Sequence, residues 1–134
     1  MNFSELEKDD WLGLRPYLDT CLIPFTGLNG HEEPWEVTQQ LEQLQELIDL
    51  VERPFKGRIV QYPAVQYAPG DAEATVKLLS RIIDRVKATN FRYVVLLSIE
   101  PLDDQAVPTR VDLVVNRESK KENVEDKILE LWGN

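Results

Sequence analysis

From Pro34 the apolar positions Val37, Leu41, Leu44, Ile48 and Val51 recur at alternating spacings of four and three. That period gathers them on one helix face, so the pattern predicts a core-facing helix that ends before Pro54. A second helical pattern follows in "PGDAEATVKLLSRIIDRVKATN". Asp71 is placed to cap it, Val76, Leu79, Ile83 and Val86 form its buried face, and Asn90 is placed to end it in the left-handed conformation. Three further stretches lack this period and read as strands. "TCLIPF" (20–25) is a short apolar run bounded by Asp19 and Thr26-Gly27, and "RYVVLLSI" (92–99) is nearly continuous apolar and β-branched. A run with no polar alternation marks a strand covered on both faces, so 92–99 is expected at the centre of a sheet. Residues 58–62 form another strand that Pro63, having no N–H for a ladder, must end or bend.

"RVDLVVN" supplies a fourth strand. Both chain ends carry a Ser-x-x-Glu pattern, Ser4 with Glu7 and Ser119 with Glu122, which reads as a capping box. The first would open a short helix broken near Gly13 and Pro16. The second would open a last helix carrying Val124, Ile128 and Leu131. Strand and helix therefore alternate along the chain. The expected fold is α/β, a single-domain layered structure over residues 1–134 with a mostly parallel four-stranded sheet flanked by helices and joined by right-handed crossovers.

Length and composition agree with one domain: 134 residues at 43% hydrophobic can bury a core without disulfides. The lone Cys21 lies inside an apolar run, which favours an inert buried thiol in a reducing compartment. "MNFSELEKDDW" turns acidic at its fifth residue, unlike a signal peptide, and no apolar run is long enough to span a bilayer. A cytoplasmic protein without membrane insertion is expected. The formal charge of −9, from 15 Lys and Arg against 24 Asp and Glu, opposes binding to phosphate backbones and excludes nucleic acid as the expected partner. No Lys or Arg occurs between Arg15 and Arg53, where eight Asp and Glu fall. Residues 32–52 should form an acidic surface, either a solvated helix face or a dock for a basic protein.

The stretch most like chemistry is "GLNGHEEPW" (27–35), which holds the one histidine, His31. In an open parallel sheet ligands sit beyond the carboxyl ends of the strands, and this loop leaves the first strand there. Asn29, His31 and Glu32, with Tyr67 after the second strand and Glu100 and Asp103 after the third, are the candidate ligand-binding residues. Yet Pro34 suits a first helical position and Glu32, Glu33 and Glu36 suit the positive end of a helix dipole, so a plain helix entrance explains the motif as well. A zinc centre needs more His and Cys than one of each, so no metal site is expected. A phosphate-binding glycine loop, a Gly-x-Ser-x-Gly elbow and a Cys-x-x-Cys pair are all missing, and no cofactor is expected. Ser98, His31 and Asp103 could be assembled into a triad, but any small α/β chain offers such a trio by chance.

"YLDTCLIPF", "FKGRIVQYPAVQY" and "FRYVVLLS" resemble the YpiF-like family of small bacterial proteins, with Tyr17, Asp19, Thr20, Pro24, Phe55, Lys56, Gly57, Arg58 and Pro63 as its most specific elements. That resemblance runs over nearly the whole chain and implies no particular activity. A fainter one is to creatininase-like metal-dependent amidohydrolases. Here Pro24 leads into "NGH", with Asn29 where those enzymes carry a ligand Glu and His31 where they carry a ligand His, while "NFRYVVLLSIEP" has the run-up to their second loop without its histidine. This implies a shortened relative that has lost the metal site. The sequence as a whole points to a non-catalytic binding or accessory protein. The alternatives are a small metal-assisted hydrolase using His31 and strand-end carboxylates, and a self-associating protein, a homo-oligomer joined through Trp11, Trp35 or Trp132.

Overall fold

A computed structural model describes residues 1–133. The chain begins with a short 3-10 turn and helix α1 (Lys8–Leu14), then runs β1 (Thr20–Leu28), α2 (Pro34–Glu52), β2 (Ile59–Gln61), β3 (Val65–Tyr67), α3 (Ala72–Thr89), β4 (Tyr93–Ser98), β5 (Leu113–Val115) and α4 (Lys121–Gly133). Every strand pairing is parallel. The order across the sheet is β2, β1, β4, β5, with β3 also beside β1. The α/β class and the parallel sheet are therefore as the sequence led us to expect, but there are five strands, not four.

The extra strand has a covalent cause. Pro63 ends β2, and β3 resumes alongside the same neighbour one residue out of register: Leu22 pairs with Gln61, whereas Phe25 pairs with Val65. Continuing the β2 register by two residues would set Pro63 beside Pro24. Thr20 N and Leu22 O both bond toward β2, so alternation aims the nitrogen of Pro24 the same way. A proline inside a central strand is tolerated here because its missing donor faces a break in the partner strand.

Alternation also explains the unbroken apolar runs. Cys21, Ile23, Val94 and Leu96 pack with α3 residues Leu79 and Ile83 on one face, while Leu22, Val95 and Leu97 pack with Leu44, Ile48 and Val51 of α2 and Val124 and Ile128 of α4 on the other. Each strand thus feeds two cores, at roughly 25 cal/mol per Å² of apolar area removed from water. Residues 93–98 are buried throughout, and β4 shares the sheet centre with β1. Burial of the α2 stripe starts only at Leu44. Leu41 is exposed and Val37 half-buried, because the first turns of α2 overhang the sheet.

Several helix ends differ from the sequence reading. Ser4 does not cap α1; its hydroxyl and N–H both donate to Asn2 Oδ1, and the capping box is formed by Glu7 and Asp10. Ser119 Oγ accepts from the Asn116 N–H instead of capping α4. Asn90 follows α3 with φ −134°, in no left-handed conformation. Asp71 caps α3 as expected, its Oδ1 accepting from Ala74 N at 2.7 Å.

The amino ends of the strands are tied together by side chains from distant parts of the chain. Arg58 Nε and Nη2 donate to the two Asp19 carboxylate oxygens at 2.8 and 2.9 Å, and the Arg58 guanidinium lies 4.2 Å from the Trp132 ring centre. Hydrogen bonding to Asp19 raises the Arg58 pKa above its ordinary value. Trp132 Nε1 donates to Thr20 Oγ1 at 2.8 Å. Asp112 Oδ2 accepts from Val94 N and from Lys87 Nζ, each at 2.8 Å.

Candidate functional site

At the carboxyl ends, β1 sends its chain to α2 on one face, while the chain leaving β4 turns against α3 on the other. The strand order reverses between these two strands, and in doubly wound sheets the crevice at that point is where ligands bind. A cavity of about 290 Å³ opens there, walled by Thr26 and Gly27 of β1, Thr75 of α3, Ser98 at the end of β4, and Glu100 and Asp103 after it. Gly27 has φ +78°, a conformation that L side chains rarely adopt. It lies where the β1–β3 pairing shifts register, and that shift lets the strand bend away and open the crevice.

The polar groups around the cavity are already engaged. Thr26 Oγ1 bonds Gln66 Oε1 at 2.6 Å, Thr75 Oγ1 donates to Asp71 O at 2.9 Å, and Ser98 Oγ donates to Glu100 O at 2.7 Å. No hydroxyl here has a histidine or carboxylate as partner, so none is set up as an activated nucleophile. Glu100 pairs with Arg117 at 3.0 Å in an exposed position. The lining contains carboxylates and no Lys or Arg, which disfavours a phosphorylated ligand.

The six sequence candidates divide into two groups. Glu100 and Asp103 line the cavity. Asn29, His31, Glu32 and Tyr67 do not: all but Glu32, which is half-exposed, are exposed, and the first three build a self-contained turn. Asn29 Oδ1 accepts from His31 N at 2.7 Å, and the Glu32 carboxylate accepts from Asn29 N at 3.0 Å and Gly30 N at 2.9 Å. Gly30 makes this possible at φ +94°. The Asn29 N–H bond, first among the causes, lowers the Glu32 pKa from its ordinary value. Glu33 then forms a capping box with Glu36, and Pro34 takes the first helical position of α2. Each polar residue of the motif except His31 thus has a local structural task. Among the described residues no group of three His, Cys, Asp or Glu side chains is arranged to hold a metal ion. Cys21 is fully buried, and burial pushes its thiol pKa well up, so it supplies no nucleophile.

Thr26 and Thr75 were not singled out from the sequence. Their signal was present but weak: a hydroxyl residue just past an apolar run, and one four residues beyond a helix cap.

A doubly wound α/β protein with a small crevice at its switch point is the class that fold and site define. Residues 9–130 match the family described as "Protein of unknown function (DUF2487)", and the chain belongs to that family. No curated protein and no solved structure matches it. Among the described residues no helix is long and apolar enough to cross a membrane.

Proposed function

We propose that this protein is a non-catalytic binding module that takes a small, uncharged or cationic ligand in the crevice between the carboxyl ends of β1 and β4. The observation that carries the reading is the cavity at the strand-order reversal, lined by apolar side chains such as Phe25 and Leu102 with a few hydroxyls and carboxylates among them, but by no basic side chain. A hydrolase would need His31 to meet Glu100 and Asp103, and among the described residues no metal-holding group includes it. The test uses ethanolamine and inorganic phosphate as probes, each at millimolar concentration, followed by amide chemical shifts. Ethanolamine should move Thr26, Gly27 and Ser98, and Asp103→Asn should weaken that response. Perturbation by phosphate at these residues, or by neither probe, overturns the reading.

A second surface favours a basic protein partner. Trp35, Glu42, Glu46 and Asp49 are all exposed on α2, and among the described residues only Asp49 of these carboxylates forms an ion pair, with Arg53 at 4.0 Å. Salt-sensitive capture that is lost when Glu42 and Glu46 become Gln would support it. A cytoplasmic location is our reading as well, supported by the unpaired buried thiol. The YpiF-like grouping rests on Tyr17, Asp19, Pro24 and Arg58. The creatininase-like kinship rests on the parallel sheet and on the placement of Asn29 and His31 after β1.

A further inference from the structure

A second cavity lies at the outer edge of β2. It measures about 450 Å³ and is lined by Phe3, Leu6, Lys8, Trp11, Tyr62 and Pro63, with Val60 also contributing. That volume falls within the range of small-molecule sites, roughly 300–1,000 Å³. Its walls are held in place. Gln61 N donates to Met1 O at 2.7 Å and Asn2 forms a bridge with Gln61, which fixes the segment bearing Phe3 and Leu6 against the sheet edge. Beneath, Tyr62 meets Phe91 edge-on at 5.2 Å, Trp11 packs on Phe91 at 5.6 Å, and Phe3 lies edge-on to Tyr62 at 6.3 Å. Burial raises the Tyr62 pKa above its ordinary value.

One charged group lines this otherwise apolar space. Lys8 makes no ion pair or hydrogen bond among the described residues, although the chain carries a large excess of carboxylates. An aromatic lining with one free ammonium fits a ligand with an apolar, ring-sized body and a single anionic head. We infer that this cavity is a binding site for a small amphiphilic anion such as an arylalkyl carboxylate, its ring among Phe3, Trp11 and Tyr62 and its carboxylate paired with Lys8. The fit is preorganised, because the aromatic walls already pack on one another without a ligand.

The probes are 4-phenylbutyrate and its uncharged counterpart 4-phenylbutan-1-ol, titrated into the full chain and followed by amide chemical shifts and tryptophan fluorescence. We expect 4-phenylbutyrate to perturb Phe3, Leu6, Trp11 and Tyr62 and to bind more tightly than the alcohol. Lys8→Gln should weaken the carboxylate about two- to five-fold, as for an exposed charge pair, and leave the alcohol unchanged. Leu6→Trp, which fills space at a half-buried position, should block both. Shifts centred elsewhere, equal binding of the two probes, or indifference to Lys8→Gln would each overturn the inference. So would concentration-dependent shifts at the same residues without probe, which would mean that a second copy of the chain occupies the cavity.

Discussion

The two ends of the sheet are built differently. At the amino ends, bonds join residues far apart in sequence: Asp19 with Arg58, Thr20 with Trp132, and Lys87 with Asp112. At the carboxyl ends many bonds close within a few residues, as in Asn29 to His31 and Ser98 to Glu100, and Thr26 with Gln66, Ala68 with Leu28 and Glu100 with Arg117 are longer-range exceptions. One end is fastened across the fold and the other consists of loops that each hold their own shape. Such a division lets the loops of the open end vary without loosening the core, which is how sheet scaffolds commonly carry binding sites.

The comparison breaks first if the core between the ends proves soft. Leu96, fully buried in β4, should cost about 2–5 kcal/mol on replacement by Ala in chemical denaturation, and a loss below about 1 kcal/mol would remove β4 from the centre. Next comes the fastened end. Asp112→Ala strands the Val94 N–H and leaves the Lys87 ammonium with only the Arg110 carbonyl, and should lower stability by about 2–3 kcal/mol, since hydrogen bonds to charged groups are the stronger ones. Arg58→Ala removes the paired bonds to Asp19 and the stacking on Trp132. With both charged partners partly exposed, about 1–2 kcal/mol is expected in the same assay.

The open end should show the smallest effects. His31→Ala should change stability by less than about 0.5 kcal/mol, and millimolar zinc should leave the melting temperature of both proteins unchanged. Glu32 sharpens the contrast through pH. Its carboxyl titrates lower in the folded chain than in the unfolded one, so its contribution is present above the unfolded value of about 4.3 and is lost as pH falls through the folded value. Glu32→Gln should flatten that part of the acid stability profile. An NMR titration placing Glu32 at or above the ordinary glutamate range would remove the turn as its cause.

Much of the open end was legible in the sequence and almost none of the fastened end was. The helical periods of α2 and α3 and the apolar run of β4 are local signals, and so is the Pro34 entrance. Capping was misread where another nearby group engages the serine: Asn2 Oδ1 accepts from Ser4, and the Asn116 N–H donates to Ser119 Oγ. Asp19 and Arg58 both stand at the starts of strands that turn out to be neighbours, but without the strand order nothing joins residues 39 positions apart. Trp132 and Thr20, 112 positions apart, lie further still beyond reach of periodicity. β3 was hidden because it is three residues long and only half-buried, so it shows no alternation of its own.

The bond from Trp132 to Thr20 also bears on the order in which the chain can fold as it is synthesised. β1 leaves the ribosome early, apolar toward both faces, yet its neighbours β2 and β4 begin only at residues 59 and 93 and its last fastening arrives at 132. Contacts of such separation form slowly. During that interval an apolar segment of this kind stays open to other chains, and it is one a chaperone would be expected to hold.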